Sequence, residues 1–276
     1  MKIDSHQHFW RYSPKRHSWI NDKMAVLKRD FLPNDLKKEI TSNGVDGSVA
    51  VQADQSEEET EFLLKLAADN DIIKAVVGWV DLRAENVEDR LAYFATKKEK
   101  LKGFRHVVQA EPDVDFMLGR AFQRGIGLLE KYGFTYDILI YPSQLSAALK
   151  LVKQFPHQKF VIDHLAKPNI ARGDSYVWKT YMSDIAKNEN TYCKLSGMVT
   201  EASWNSWQYD DFVPYLDEVL EAFGTDRVMY GSDWPVCLLS GSYGDVKGII
   251  DRYIAGFSAP EKAGILGANA MDFYSI

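Results

Sequence analysis

The chain opens with Ile3-Asp4-Ser5-His6-Gln7-His8, which places two histidines two residues apart. In an extended strand, residues i and i+2 project from one face, so His6 and His8 would present their imidazoles side by side. Two neutral ring nitrogens aimed at one point can hold a divalent metal or one oxygen of a substrate. Three later strings carry complementary groups. Asp163-His164-Leu165-Ala166-Lys167-Pro168 follows the apolar run Phe160-Val161-Ile162, so His164 emerges where a central strand ends. In Gly231-Ser232-Asp233-Trp234-Pro235 the small Gly231 leaves room beside it, and Pro235 prevents the strand from continuing. A carboxylate held there, Asp233, is suited to act as a general base. Gly103-Phe104-Arg105-His106 offers a permanent guanidinium that can polarise a carbonyl or bind a carboxylate side-on.

These groups need a scaffold that gathers strand ends. Strand-like runs fall at 2–8, 46–52, 72–80, 102–108, 135–141, 159–163, 191–195 and 227–231. Helix-patterned segments lie between them at 57–70, 87–96, 116–132, 144–155, 175–187, 212–223 and 245–255. Alternation at roughly 30-residue spacing predicts parallel pairing through right-handed crossovers. Closed on itself, this is a (β/α)8 barrel occupying residues 1–276 as one domain, an α/β TIM-type fold. An open doubly wound sheet is the rival, but no GxGxxG follows the first run, and Gly125-Ile126-Gly127 sits in a helical stretch. In a barrel the carboxyl ends of the strands line one pocket. They supply His6, His8, Gln52, Asp54, Asp81, Arg105, His106, Tyr141, His164, Lys167, Lys194, Ser196, Asp233 and Trp234, an unusually polar set.

Composition narrows the partner. The net charge of −6 provides no basic footprint for nucleic acid and no polybasic membrane anchor. No apolar stretch approaches a membrane span, and no leader-like segment opens the chain, so a cytoplasmic protein acting on a small molecule is expected, with a homo-oligomer allowed. Cys193 and Cys237 form no CxxC and fit a reducing compartment as unpaired thiols.

The strings 3–10 (IDSHQHFW), 103–106 (GFRH), 163–168 (DHLAKP), 194–198 (KLSGM) and 231–236 (GSDWPV), with Asn269-Ala270 and Phe273-Tyr274, resemble the lactonase branch of the amidohydrolase superfamily. The likeness runs in order through the whole chain. It implies a distorted (β/α)8 barrel and hydrolytic opening of a lactone ring. Asp233 then matches the last-strand aspartate that activates water, while His6, His8 and His164 match histidines around the substrate carbonyl, and Arg105 a substrate-binding arginine. The chain departs from two-metal amidohydrolases. Arg105 and His106 stand where the fourth strand would offer a lysine or glutamate, and the fifth run, 135–141, has no histidine. A binuclear centre is therefore not expected. One divalent ion, zinc first, on some of His6, His8, His164 and Asp233 is one expectation, and a metal-free site is the other. Gln52, His106, Tyr141, Lys167, Lys194 and Trp234 are the candidate substrate-binding groups. Their hydrogen-bonding character favours a sugar-acid lactone, an aldonolactone, over an apolar ester. Alternatives are a zinc-dependent decarboxylase of an unsaturated or aromatic acid on the same scaffold, and a non-catalytic sugar-acid binding protein.

Overall fold

A computed structural model describes residues 1–173 and 175–276. Eight parallel strands neighbour one another in sequence order: β1 (Ile3–Gln7), β2 (Gly47–Val51), β3 (Ile73–Gly78), β4 (Leu101–His106), β5 (Thr135–Ile138), β6 (Phe160–Ile162), β7 (Thr191–Leu195) and β8 (Val228–Tyr230). The last strand is short, and the barrel closes above it. Gln7 and Trp234 form a parallel bridge; the His8 N–H donates to the Trp234 carbonyl at 2.7 Å and the Asp233 N–H to the His6 carbonyl at 2.8 Å. The closing seam is thus made of site residues. The expected (β/α)8 barrel is what the chain builds.

The crossover helices are α1 (Pro33–Ser42), α2 (Glu57–Asp69), α3 (Val87–Ala95), α4 (Arg120–Tyr132), α5 (Leu145–Gln154), α6 (Tyr176–Ala186), the single-turn α7 (Met198–Glu201), α8 (Val213–Phe223) and α9 (Tyr243–Tyr253). They are followed by α10 (Ala259–Ala263) and α11 (Asn269–Tyr274). Local chemistry explains their limits. Ser56 caps α2, its hydroxyl accepting from the Glu59 N–H at 3.2 Å, and three glutamates fill the first turn where the helix dipole favours them. The helix expected over 116–132 is divided: Gly119 is extended, with ψ 133°, so α4 begins after it. Helix α1 and the C-terminal pair α10–α11 were not foreseen. Helix α1 buries only Pro33, Leu36 and Ile40, too narrow a stripe to stand out in a polar sequence.

Strand alternation divides the core in two. Ala50, Val76, Phe104, Tyr136, Ile162 and Leu195 face the helices. Val49, Val51, Ala75, Val77, Val161 and Met229 face inward and meet Ala270, Phe273 and Tyr274 of α11. Burying one such side chain contributes roughly 1.5–3 kcal/mol. In β1 the phase changes: the register shifts between Asp4 and Gln7, so Ile3 and His6, of opposite parity, can both face inward. Asp4 fastens this irregularity, its Oδ1 accepting from the His6 N–H at 3.1 Å and the Ser232 N–H at 2.9 Å.

The aromatic segment 200–211 is packed down. Trp204 donates its indole N–H to the Thr200 carbonyl at 2.9 Å and Trp207 to that of Ser240 at 2.7 Å. Both cysteines are unpaired and buried. Among the described residues, no helix is long and apolar enough to cross a membrane.

Candidate active site

His6 and His8 stand where β1 meets the seam, with their Nε2 atoms 3.2 Å apart. His8 Nδ1 lies 2.8 Å from the Val51 carbonyl, which can only accept, so the proton belongs on Nδ1 and the Nε2 lone pair faces the site. His6 is held on both sides. Its Nε2 is 3.2 Å from Arg105 Nη1, an obligate donor, and its Nδ1 is 3.2 Å from Asp163 Oδ1. Lys194 Nζ lies 3.2 Å from the same Nδ1, so neutral His6 is ringed by two permanent cations and one carboxylate.

Asp233 completes the cluster. Its Oδ1 is 3.3 Å from His8 Nε2 and 3.9 Å from both His6 Nε2 and His164 Nε2. The chain reaches this geometry through strained backbone. Asp233 has φ 56°, and His164 to Lys167 are four successive non-glycine residues with φ between 51° and 57°. Each such residue costs roughly 1–2 kcal/mol. The turn is held by the Lys167 N–H on the His164 carbonyl at 2.7 Å and the Trp178 indole on the Leu165 carbonyl at 2.6 Å. Two glycines make room. A Cβ at Gly197 would lie 2.5 Å from His164 Nδ1, and one at Gly231 would lie 2.8 Å from the His6 Cβ. His164 Nδ1 is 2.8 Å from the Ser196 hydroxyl, and its ring centroid is 4.3 Å from that of His6.

Beneath the histidines lies a buried charge cluster. Lys194 Nζ sits 2.5 Å from Asp137 Oδ2 and 3.0 Å from Asp163 Oδ1. Arg105 Nη1 donates to Asp163 Oδ2 at 3.0 Å, and Tyr274 of α11 donates to Asp137 Oδ2 at 2.8 Å. Two cations thus face two carboxylates at zero net charge, which a water-poor interior requires. Although burial opposes its ionisation, Lys194, His6 and Arg105 hold the Asp163 carboxyl well below the usual range. Asp137 moves the other way, burial pushing it up to about 6 despite Lys194. Burial also keeps His6 and His164 well below the ordinary histidine value, so both are neutral near pH 7.

Above the cluster opens a pocket of about 370 Å³, whose wall includes His8, Arg105, His164, Lys167 and Asp233. Other expected contacts lie elsewhere. His106 alternates outward from Arg105, stacks on Phe116 with ring centroids 4.9 Å apart, and places Nε2 2.7 Å from Glu111 Oε1. Lys194 is fully buried among carboxylates rather than presented to a ligand. Gln52 is engaged with Arg105, giving its amide N–H to the Arg105 carbonyl at 3.1 Å while its own carbonyl accepts from the guanidinium. Trp234 turns away from the pocket into an aromatic group with Phe31, centroids 5.2 Å apart. Tyr141 is 43% exposed outside the pocket wall, its ring 5.6 Å from Lys167 Nζ. Sequence reasoning passed over Asp163 as a site residue, although it shares strand parity with the inward Val161. It also passed over Arg16 and Trp19, on the segment after β1, and Gln109, in a 3-10 turn after β4, all of which reach the pocket from short segments with no periodic signal.

Residues 3–276 match the model of a family described as Amidohydrolase. This chain belongs to the amidohydrolase family. Over its whole length it is 39% identical to an L-fucono-1,5-lactonase of Burkholderia multivorans (strain ATCC 17616 / 249), spanning 96% of that protein. It is 35% identical to an L-fucono-1,5-lactonase of Burkholderia ambifaria, again over 100% of this chain and 96% of the other. A crystal structure of an amidohydrolase from Burkholderia multivorans with bound zinc superposes at a TM-score of 0.96, with 39% identity and coverage of 100% and 99%.

The donor set of this amidohydrolase suits one divalent ion. His6, His8 and Asp233 offer ligand atoms within 4.8 Å of one another, as do His6, Asp163 and His164. In the first set the Nε2 atoms of His6 and His8 lie beside the Asp233 carboxylate, and the Val51 carbonyl holds the opposite ring nitrogen of His8. Outer partners of this kind orient metal-binding histidines.

Proposed function

We propose that this protein hydrolyses the ring ester of a sugar-acid lactone, an aldonolactone of the kind named for its relatives. The observation that carries the reading is the Asp233 carboxylate 3.3 Å from His8 Nε2 on a polar pocket wall, in a chain aligned end to end with two lactonases. Asp233 takes a proton from the attacking water. Negative charge developing on the carbonyl oxygen is opposed by the Arg105 guanidinium, whose direction is fixed by Asp163 and Gln52. Asp233 then returns the proton to the ring oxygen as the acyl–oxygen bond breaks, and the hydroxy acid leaves with its new carboxylate. His6 and His164, kept neutral, add no repulsion to the departing proton and can donate or accept at short range. A divalent ion held by His6, His8 and Asp233 would supply Lewis acidity toward the carbonyl and lower the pKa of a bound water.

A panel of aldono-1,5- and 1,4-lactones, followed with a pH indicator before and after chelator treatment, tests the reading. Proton release with at least one sugar lactone is expected. A folded Asp233→Asn variant should lose about 10²- to 10⁴-fold in kcat. Native rates in that variant, or carbon dioxide release from an acid substrate in place of lactone opening, would overturn it.

A further inference from the structure

We propose that Trp19 and Gln109 form the sugar-reading wall of the pocket and decide which lactones are accepted; the inference rests on the lactonase reading and extends it. Neither residue belongs to the seam that carries the proposed chemistry, though both line the pocket above it. Trp19 lies on the segment between β1 and α1 and is 40% exposed, yet it lines the pocket beside Arg16. Its ring is not loose. It packs edge-on against the fully buried Trp10, centroids 6.0 Å apart, and Trp10 is fixed by its indole N–H on the Arg29 carbonyl at 2.9 Å. Most other indoles in the chain, those of Trp79, Trp178, Trp204 and Trp207, give their N–H to a protein acceptor. Trp19 gives its N–H to none among the described residues. A rigid aromatic face with a spare donor at the edge of a polar pocket matches a saturated sugar ring, which has an apolar C–H face and hydroxyls around its rim.

Gln109 supplies the second half. It lines the same pocket, and its Oε1 is shut off from solvent without accepting a hydrogen bond. Its backbone is held in place, the N–H donating to the Leu139 carbonyl at 3.0 Å. The loop around it is fastened by Gln55 Oε1 on the Val107 N–H at 2.8 Å and by the outward His106 on Glu111. A buried acceptor without a donor is unfavourable, and a small rotation of the amide that turns Oε1 to the pocket surface lets a ligand hydroxyl satisfy it. An unsubstituted lactone of the same ring size has nothing to donate. A site built this way discriminates against the ligand lacking the hydroxyl far more strongly than an apolar pocket discriminates by size.

The test compares wild type with Gln109→Met, Trp19→Ala and Trp19→Phe, each checked for native thermal unfolding. Steady-state kinetics are measured on a hexono-1,5-lactone and on unsubstituted δ-valerolactone. Calorimetry measures binding of the matching hexono-1,5-lactam, a ring that is not hydrolysed. Gln109→Met should raise KM for the sugar lactone about tenfold or more with δ-valerolactone little changed, whereas Trp19→Ala, which removes the stacking face, should raise KM for both, each with kcat within about threefold. Trp19→Phe should recover most of the loss, and lactam binding should weaken in parallel. If wild type binds the lactam in a Gln109- and Trp19-dependent way but opens no lactone, the wall assignment stands and the lactonase reading falls. Lactam affinity and substrate preference within about twofold of wild type in the folded variants would overturn the assignment, as would a wild type that does not bind the lactam.

Discussion

Asp163 is the buried anion among the cations around His6. Its carboxylate lies 3.0–3.2 Å from His6 Nδ1, Lys194 Nζ and Arg105 Nη1. Replacing it with asparagine leaves two buried cations with one carboxylate. Asp163→Asn is expected to cost about 3–5 kcal/mol in a denaturant titration and to lower kcat at least tenfold in the fraction that remains folded. A stable, fully active variant would show that His6 needs no such support. A second expectation concerns the metal donors. His8→Ala should abolish zinc binding in a titration of chelator-treated protein, whereas His106→Ala, altering a side chain outside the pocket, should leave it intact. His106 also illustrates a limit of the sequence. Arg105 and His106 are adjacent on a strand, only one can face inward, and nothing local states which; pairing with β5 does.

At the scale of elements, α2 carries a titratable brace for the pocket. Glu59 in its first turn is 3% exposed and accepts the Ala53 N–H at 3.1 Å, beside pocket residues Ala53 and Asp54. Burial, reinforced by Asp54, pushes its carboxyl up to about 7 from the ordinary 4.5. The folded state therefore holds this proton more tightly than the unfolded chain. Its contribution is most favourable below about pH 4.5 and is lost as pH rises through 7. Glu59→Gln, which keeps an acceptor and cannot ionise, should match wild type in stability near pH 4.5 and exceed it by a few kcal/mol at most at pH 8. Thermal melts across that range would contradict this if the difference were flat. Element existence was largely legible, because long amphipathic helices and buried strands carry strong periodicity. The break at Gly119 and the polar α1 were not, since tertiary contacts set them.

For the whole molecule, the weak point is the join between β8 and β1. Among the described residues these strands meet through one parallel bridge and the Asp4 carboxylate, which spans from the His6 to the Ser232 backbone N–H. Asp4→Ala should destabilise by about 2–4 kcal/mol in urea, with Asp4→Asn milder because it retains an acceptor. Equal stability of all three proteins would mean that the seam does not depend on this residue. By itself the sequence determined the eightfold βα repeat, the inventory of polar strand ends and the prominence of His6, His8, Arg105, His164 and Asp233. It could do so because periodicity and strand-end position are local properties. Only the tertiary structure decided which of those side chains meet. The shifted phase of β1 and the left-handed turn at His164 aim histidines that strict alternation would not bring together. Pairing with carboxylates drew Lys194 into the interior, and loop packing added Trp19 and Gln109 to the pocket. Such outcomes depend on contacts between residues far apart in the chain, and no local pattern encodes them.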